Sequence, residues 1–326
     1  MKKIVVAHDM KLSEKALGMM REVGQVTLLG ENSDEVVQAE IREAHTFVVG
    51  YKPRVEQHHI TAARQLKHIA RRGVGTDTID VKAATERGII VTNTAEVTAD
   101  SVAEFTLTLL LSLAKNIPRC DSAVREGRWE ERSELTRSNI ELNGKTHGIV
   151  GMGRIGRRVA VRCKAFGMKV LYYKRTRDLE FERDAGVEYV SFETLIKESE
   201  CISLHIPLTD ETINLVSQAE FDLMKRTPLL INQARGKVVN EEALVQALRK
   251  GQIGGYATDV YENEPPDPKN ELFRFKNVVV TPHLGGSNRD SGIRSSIAVA
   301  EDVIRVIHGE PPKNLVNQEV FGKKFF

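Results

Sequence analysis

The chain has few cysteines, a single tryptophan and almost no net charge. It contains three cysteines among 326 residues, and its formal net charge at pH 7 is +2. Cys120, Cys163 and Cys201 show neither metal-ligand nor disulfide spacing, so we predict no metal site and an intracellular, reducing location, the cytoplasm. The small net charge gives no reason to expect a nucleic-acid or membrane partner.

Long apolar runs are also absent. The apolar run around residues 105–114 is shorter than the roughly 20 residues that a membrane-spanning helix needs. Near the N-terminus, the apolar run at 4–7 ends at His8 and Asp9, which predicts a first strand rather than a signal peptide. The composition, with 41% hydrophobic and 28% charged residues, is typical of soluble globular proteins, and the length suggests two domains.

Short apolar segments alternate with helical patterns along most of the chain. This alternation predicts an α/β fold in which helices cover parallel sheets. Two longer helices are predicted at 100–113 and 287–308, and the first is apolar on more than one face, so we expect it to be buried. The predicted strands are residues 4–7, 25–28, 46–49, 68–70, 89–91, 147–150, 168–173, 202–205, 229–232, 255–257 and 278–281, and helices are predicted at 14–22, 33–43 and 81–87.

The strongest motif is a glycine-rich turn between the predicted strand at 147–150 and a predicted helix at 157–167. It matches the G-x-G-x-x-G pattern, and a strand before it and a helix after it are the context in which this pattern binds a dinucleotide. The glycines allow a tight turn, a close approach to the pyrophosphate and close helix–strand packing, while the helix N-terminus faces the phosphates. The residues predicted to bind the dinucleotide here are Gly151, Gly153, Arg154, Ile155 and Gly156.

A cluster of cations follows the next predicted strand, at 168–173. In this kind of fold an acid near the end of that strand binds the adenine ribose of NAD. Lys174, Arg175, Thr176 and Arg177 stand there instead, which favours the 2′-phosphate of NADP. We therefore predict NADP as the cofactor, with NAD as the weaker alternative.

Further segments carry a family resemblance, and they lie at residues 73–80, 101–104, 142–146, 151–156, 204–209, 234–236, 259–265 and 281–286. In their order and spacing the chain resembles the D-isomer-specific 2-hydroxyacid dehydrogenases. The resemblance implies two doubly wound parallel-sheet domains, with a Rossmann dinucleotide-binding domain (99–286) inserted into a discontinuous, flavodoxin-like substrate-binding domain (1–98 and 287–326). Members are usually homodimers joined largely through the nucleotide domain, so we expect a homodimer.

The resemblance assigns the chemistry to three side chains. It implies that His283 is the general acid in reduction and the base in oxidation, a role that suits an imidazole because it titrates near neutral pH. Glu264 would pair with His283, favour the imidazolium and orient the ring. Arg235 follows the strand at 229–232, at a carboxyl end where α/β sites gather, and its fork suits a planar 2-oxo carboxylate.

The resemblance also implies residues that bind the ligands. Val74 and Gly75 match a turn whose backbone N–H groups receive the substrate carboxylate, and together with Arg235 and His283 they form the expected substrate-binding set. The further cofactor-binding residues implied in this way are Asp259, for the nicotinamide carboxamide; His205, Pro207 and Thr209, in a loop along the cofactor; and Thr108, which could equally be a helix-packing residue.

Three positions depart from the family pattern. Lys174 replaces the usual acid. Gln233 stands where the family usually has a small residue, and its larger amide would narrow or re-aim the nicotinamide side of the site. Gly50 stands where the phosphoglycerate-specific members tend to carry an arginine, although Arg54 and Arg71 could reach into the same region.

These observations predict an NADP-preferring reductase that converts a small 2-oxo acid, such as glyoxylate or hydroxypyruvate, to the D-2-hydroxy acid. Two alternatives stay open. Another dehydrogenase of the same fold would act on 3-phosphoglycerate, formate or phosphite. A non-catalytic dinucleotide sensor, similar to the transcriptional corepressors that share this fold, would bind the cofactor without turnover.

Overall fold

The computed structural model describes residues 1–8 and 10–321. These residues divide into two compact units: the first contains residues 1–98 and the described residues from Gly286 onward, and the second is Ala99–Gly285. Each unit contains one parallel sheet with helices, which confirms the predicted α/β class. Which ligand each unit binds stays a prediction.

Five strands form the sheet of the first unit: Lys2–Val6 (β1), Gly24–Leu28 (β2), Thr46–Val49 (β3), His68–Arg71 (β4) and Ile90–Thr92 (β5). They pair in parallel in the order β2-β1-β3-β4-β5, which is the flavodoxin-like order. Every residue of β3 and β4 is buried. Strands that are covered on both faces have continuous apolar sequences rather than alternating patterns. This is why these strands could be predicted from the sequence.

Four helices connect these strands: Glu14–Val23 (α1), Asp34–Ile41 (α2), Gln57–Ala62 (α3) and Val81–Glu86 (α4). Polar side chains fix the starts of two of them. Ser13 Oγ accepts the N–H of Ala16 at 3.3 Å, and Asp80 Oδ1 accepts the N–H of Ala83 at 2.9 Å. Such caps satisfy N–H groups that have no partner within the helix.

The helix Ala95–Ala114 (α5) begins before the predicted start at residue 100. By length and composition it could cross a membrane, but 61% of its apolar window is buried within the structure. Leu109 and Leu110 pack into the core of the second unit, together with Ile149 and Ile231. Helix α5 is therefore a core helix, apolar because most of its surface is covered.

Seven strands form the sheet of the second unit: Thr146–Val150 (β6), Lys169–Tyr173 (β7), Glu188–Tyr189 (β8), Cys201–Leu204 (β9), Leu229–Asn232 (β10), Gly255–Thr258 (β11) and Val278–Val280 (β12). They pair in parallel in the order β12-β11-β10-β9-β6-β7-β8. The strand order reverses between β6 and β9, and sheets of this type bind dinucleotides in the crevice at that point. Only β8, with two residues, lacked a sequence signal.

The remaining helices of the second unit are Ile117–Arg125 (α6), Arg132–Ser138 (α7), Arg154–Ala165 (α8), Leu179–Ala185 (α9), Phe192–Glu198 (α10), Gln218–Leu223 (α11) and Glu241–Lys250 (α12). The chain then returns to the first unit with Arg289–Ile307 (α13) and Gln318–Phe321 (α14). Helix α13 packs against α1 and β4. Asn288 caps its start by accepting the N–H of Ser291 at 2.9 Å.

Candidate active site

The glycine-rich turn joins β6 to α8 at the point where the strand order reverses. Gly151 has φ +100°, and a Cβ there would stand 2.5 Å from a carbonyl oxygen of the loop after β9. A Cβ on Gly156 would overlap the Gly151 carbonyl. In contrast, a Cβ on Gly153 would meet no described atom within 4 Å. Open space therefore lies beside the first turn of α8, at Arg154 and Ile155, where the helix N–H groups can receive a pyrophosphate.

The predicted cation cluster follows β7, and an acid engages one of its members. Arg177 donates to both carboxylate oxygens of Glu182, at 2.7–3.1 Å. This hydrogen-bonded pair lowers the pKa of Glu182 and raises that of Arg177. Lys174 is half-buried, whereas Arg175 and Thr176 are exposed. Lys174 and Arg175 are therefore better placed than Arg177 to meet a further anion.

An acid for which no role was predicted lies beside this cluster. Asp178 accepts the N–H of Phe181 at 3.3 Å and so caps α9. Its carboxylate also forms an ion pair with Arg157 of α8 and lies 3.8 Å from Lys174 Nζ. An aspartate directly before a helical pattern is a cap signal that could have revealed it. Asp178 therefore attracts both Arg157 and Lys174 and helps to fix their positions.

The loop after β9 begins with an imidazole that is turned toward the core. His205 Nε2 lies 2.9 Å from Ser203 Oγ, and His147 Nε2 lies 2.8 Å from the same oxygen. Burial lowers the pKa of His205 to about 3 and that of His147 to about 4, so both rings are neutral at physiological pH. The backbone of His205, which contacts Gly151, is thus the part of the residue that shapes the glycine turn.

Thr212, for which no role was predicted, holds the rest of this loop. Its Oγ1 accepts the N–H of Thr209 at 2.7 Å and donates to Pro207 O at 2.8 Å. Pro207 and Thr209 are therefore fixed by a local side-chain contact. Thr108 lies apart from this loop in sequence, is exposed on α5 and donates to Glu104 O at 2.9 Å.

His283 and Glu264 form a hydrogen-bonded pair in the second unit. His283 Nδ1 lies 2.7 Å from Glu264 Oε2, and Glu264 Oε1 accepts the N–H of Tyr261 at 3.2 Å. The Glu264 side chain is only 15% exposed. Burial alone would raise the pKa of Glu264, but the hydrogen bond and charge of His283, the Tyr261 N–H and the charge of Arg235 together lower it. Glu264 is therefore held as a carboxylate that faces Nδ1 of His283.

Arg235 lies just beyond the carboxyl end of β10. Asn232 shapes its turn, because the Asn232 side chain accepts the N–H of Ala234 at 3.0 Å and donates to Arg235 O at 2.9 Å. A Cβ on Gly236 would overlap the backbone of Tyr261. This close packing brings the Arg235 turn against the segment that leads to Glu264, and explains why the charge of Arg235 acts on that carboxylate.

Asp259 follows β11 and is buried, with 2% of its surface exposed. Its Oδ1 accepts the hydroxyl of Thr281 at 2.7 Å and the N–H of Leu284 at 2.8 Å, and its Oδ2 accepts the N–H of Gly285 at 2.6 Å. These three donors flank His283, which has φ +55°, a conformation that residues other than glycine rarely adopt. Asp259 therefore fixes the loop that carries His283, and its contact with a carboxamide stays a prediction.

In the turn after β4 of the first unit the carbonyls accept hydrogen bonds, and the N–H groups of two residues are available. Within the described part of the chain, the N–H groups of Val74 and Gly75 donate no hydrogen bond. Successive N–H groups of this kind can bind an anion. The donors that hold the carbonyls of residues 72–75 are Arg71 Nη1 to Arg72 O at 2.7 Å, Thr94 N to Gly73 O at 2.9 Å, Asn93 Nδ2 to Val74 O at 3.0 Å and Arg71 Nε to Gly75 O at 3.0 Å.

The two arginines near this turn differ. Arg71 is buried and its guanidinium binds the turn carbonyls, which corrects the expectation that it could reach outward to a phosphate. Arg54 is exposed, with Nε 3.5 Å from Glu56 Oε1 and Nη2 3.4 Å from Asp77 O. Of these two arginines, Arg54 is the one that can meet a distant anion.

One group of metal-ligand side chains also lies in the first unit. Asp34, His58 and His59 have ligand atoms within 4.8 Å of one another. His59 Nδ1 accepts the N–H of Glu56 at 3.2 Å, so the proton of the neutral ring is on Nε2. A protonated nitrogen offers no lone pair to a metal. The group is thus better described as an acid with two histidines, in which the hydrogen bond from His58 lowers the pKa of Asp34.

The sequence matches a family model over much of the second unit. The model, described as "D-isomer specific 2-hydroxyacid dehydrogenase, NAD binding domain", matches residues 107–285. A glyoxylate reductase from Aeropyrum pernix is 42% identical over 290 residues, which are 88% of this chain and 87% of that relative. A D-3-phosphoglycerate dehydrogenase from Archaeoglobus fulgidus is 40% identical over 316 residues, 97% of this chain, and the chain spans 59% of the length of that relative.

Solved structures show the same fold. One of them is the crystal structure of an NADPH-dependent glyoxylate/hydroxypyruvate reductase from Sinorhizobium meliloti in complex with NADP and malonate. It matches with a TM-score of 0.86 and 28% sequence identity, over 98% of this chain and 97% of that one. Sequence and fold therefore lead to the same group of proteins.

Proposed function

The chain belongs to the D-isomer-specific 2-hydroxyacid dehydrogenase family, and from that premise we propose that it reduces a small 2-oxo acid, of the glyoxylate or hydroxypyruvate type, with NADPH. The product would be the D-2-hydroxy acid where C2 is a stereocentre. The observation that carries the proposal is the 2.7 Å contact between His283 and Glu264, in the same unit as the glycine-rich turn. An imidazole with an anionic partner is suited to proton transfer near neutral pH.

In this proposal each side chain has its own role in carbonyl reduction. When bound, the nicotinamide cofactor supplies the hydride to the carbonyl carbon. Because Nδ1 of His283 faces Glu264, Nε2 donates the proton to the carbonyl oxygen. Glu264 stabilises the imidazolium before the transfer. Arg235 polarises the carbonyl and binds the carboxylate through its fork. Carboxylate binding by the N–H groups of Val74 and Gly75 stays a prediction.

The residues after β6 and β7 support a dinucleotide with a 2′-phosphate. The open space at Gly153 fits a pyrophosphate at the start of α8. Lys174 and Arg175 then favour NADP, since one charge-assisted hydrogen bond to a phosphate contributes roughly 1.5–3 kcal/mol. Asp259 Oδ2 accepts one hydrogen bond within the described residues, and a carboxylate oxygen has a second lone pair that a nicotinamide carboxamide can use.

A specific observation favours a second candidate, oxidation of 3-phosphoglycerate. Arg54 is exposed in the first unit and could bind a phosphate on C3. The Archaeoglobus fulgidus relative is a D-3-phosphoglycerate dehydrogenase. Gly50, in place of an arginine, argues against this candidate, and so does the burial of Arg71. We therefore place the reduction of an uncharged small 2-oxo acid first.

We also propose a cytoplasmic homodimer. Ile117, Val124 and Trp129 are 52%, 61% and 69% exposed in and just after α6 of the second unit. Three large apolar side chains so close in sequence are suited to a protein interface. The free cysteines agree with a reducing location. Sedimentation at micromolar concentration tests the dimer, and Trp129→Glu should shift it toward the monomer.

A substrate panel tests the proposed activity. NADPH oxidation is followed with glyoxylate, hydroxypyruvate, 3-phosphohydroxypyruvate and a bulky aromatic 2-oxo acid. We expect the highest kcat/KM for one of the first two. A value at least tenfold higher for the phosphorylated or aromatic acid would contradict the proposal. Tight NADPH binding without turnover of any acid would instead support the dinucleotide-sensing alternative.

A further inference from the structure

A buried amide lies beneath the loop that carries His283. Gln233 directly follows β10 and is 9% exposed. Its Oε1 accepts a hydrogen bond from the hydroxyl of Thr106, a fully buried residue of α5. Its Nε2 is buried and has no hydrogen-bond partner among the described residues. A buried amide nitrogen without a partner is costly and calls for a physical explanation.

The nitrogen end of this amide occupies the space that a side chain at Gly285 would need. A Cβ on Gly285 would stand 2.8 Å from Gln233 Nε2 and 3.1 Å from Asp259 Oδ2. The donor end of the amide and the carboxylate therefore lie around the same point, an arrangement that electrostatics favours. Gly285 is two residues after His283, and its own N–H donates to Asp259 Oδ2 at 2.6 Å.

We propose that Gln233 is a positioning residue for His283. At one end it is bonded to α5 through Thr106, and at the other end it supports the loop at Gly285. The loop then stands where Asp259 can accept the N–H groups of both Leu284 and Gly285. A small residue at position 233 would leave a void under the loop. The inference rests on the proposed reduction, because a proton donor that is misplaced by about 1 Å can lose on the order of 10²-fold in rate.

The sharpest test is a double-mutant cycle. Gly285→Ala should lower kcat at least tenfold, since the new methyl group displaces the amide, and Gln233→Ala should lower it about as much. The double variant should be more active than either single variant, because the methyl group then fills part of the space that the amide leaves. Purely additive losses would overturn the proposal.

Two threonines provide a matched comparison. Thr106 Oγ1 and Thr136 Oγ1 each lie 2.8 Å from the carbonyl oxygen four residues earlier in their helix. Thr106 also contacts Gln233, whereas Thr136 is exposed on α7. Thr106→Val should reproduce part of the kcat loss of Gln233→Ala, and Thr136→Val should retain the wild-type kcat. Equal effects of the two substitutions would contradict the link through Gln233.

Two further measurements separate positioning from cofactor binding and do not need turnover. The Kd for NADPH, from fluorescence titration, should stay within twofold of wild type in Gln233→Ala, while hydrogen exchange at the Leu284 and Gly285 amides should accelerate at least tenfold. A tenfold weaker Kd with unchanged exchange would make Gln233 a cofactor contact and overturn the proposal. If the wild type reduces no 2-oxo acid but the exchange responds as expected, the proposed function fails and the positioning role stands.

Discussion

His283 and Glu264 are 19 residues apart in sequence, yet their side chains meet at 2.7 Å, and the other carboxylate oxygen of Glu264 is held by the Tyr261 N–H. The loop of His283 is itself held by the carboxylate of Asp259. Two different acids therefore act on this segment. Glu264 contacts the imidazole ring of His283, and Asp259 accepts the backbone N–H groups that follow it.

The first prediction concerns the charge on Glu264. Glu264→Gln should move the alkaline loss of reduction to lower pH, because a neutral amide no longer stabilises the imidazolium. The pH profile of kcat/KM measures this shift. The pKa of Glu264 is lowered in the folded protein. The contacts of its carboxylate therefore stabilise the fold above the ordinary pKa of a glutamate, and this contribution is lost as the pH falls through the lowered pKa.

The control for this prediction is His283→Ala, which should lose roughly 10²–10⁴-fold in kcat, the usual size of a general-acid contribution. Binding of NADPH should survive in both variants. An unchanged pH profile in Glu264→Gln would show that the pair does not act in catalysis.

The second prediction concerns cofactor choice. Lys174→Asp should lower the kcat/KM ratio of NADPH over NADH by about ten- to a hundredfold, because it replaces a cation by an acid that repels the 2′-phosphate. Arg177→Gln should change the ratio less, since Arg177 is already bonded to Glu182. Parallel kinetics with both cofactors decide the matter. A wild-type preference for NADH would refute the prediction.

The third prediction concerns Arg235. Arg235→Ala should raise KM for the 2-oxo acid and lower kcat together, because the guanidinium both binds and polarises. Arg235→Lys should restore only part of the activity, since an ammonium lacks the planar fork. Steady-state kinetics at saturating NADPH provide both constants. Full rescue by lysine would mean that charge alone, without bidentate geometry, is sufficient.

The fourth prediction compares two glycines of the turn after β6. A Cβ on Gly153 meets open space, whereas a Cβ on Gly156 overlaps the Gly151 carbonyl. Gly153→Ala should therefore keep the wild-type melting temperature and weaken NADPH binding by at least about tenfold. Gly156→Ala should lower the melting temperature itself. If Gly153→Ala binds NADPH as the wild type does, the pyrophosphate does not lie at this turn.

The fifth prediction concerns acid stability. Burial lowers the pKa of His147 to about 4, against about 6.5 for an exposed histidine. Between these values the unfolded chain binds a proton that the folded chain does not, so the free energy of unfolding falls by up to about 1.4 kcal/mol per pH unit as the pH drops. His147→Gln should remove this part of the slope in urea unfolding at pH 7, 6 and 5. The same substitution at the exposed His308 is the control, and equal slopes in all three proteins would contradict the assignment.

The sequence by itself determined the framework of the protein. Buried parallel strands are continuous apolar runs, so most strands were located to within one or two residues, and the glycine-rich turn was recognised from the strand and helix on either side of it. The family resemblance supplied Arg235, Glu264 and His283. The strand and glycine signals are local in the chain, since each depends on residue type and spacing within about a dozen positions, whereas the resemblance depends on the order of segments along the chain.

Only the tertiary structure decided which side chains are already engaged. It paired Arg177 with Glu182 and bonded the guanidinium of Arg71 to carbonyls of the turn that follows it. It also placed Gln233 against Gly285, 52 residues later in the chain. Sequence spacing could not reveal these contacts, because they depend on the order of strands in the sheet and on the direction in which each side chain leaves the backbone. A cation or an amide has the same letter in the sequence whether its partner is a ligand or a neighbouring loop, and the packing of distant segments makes that difference.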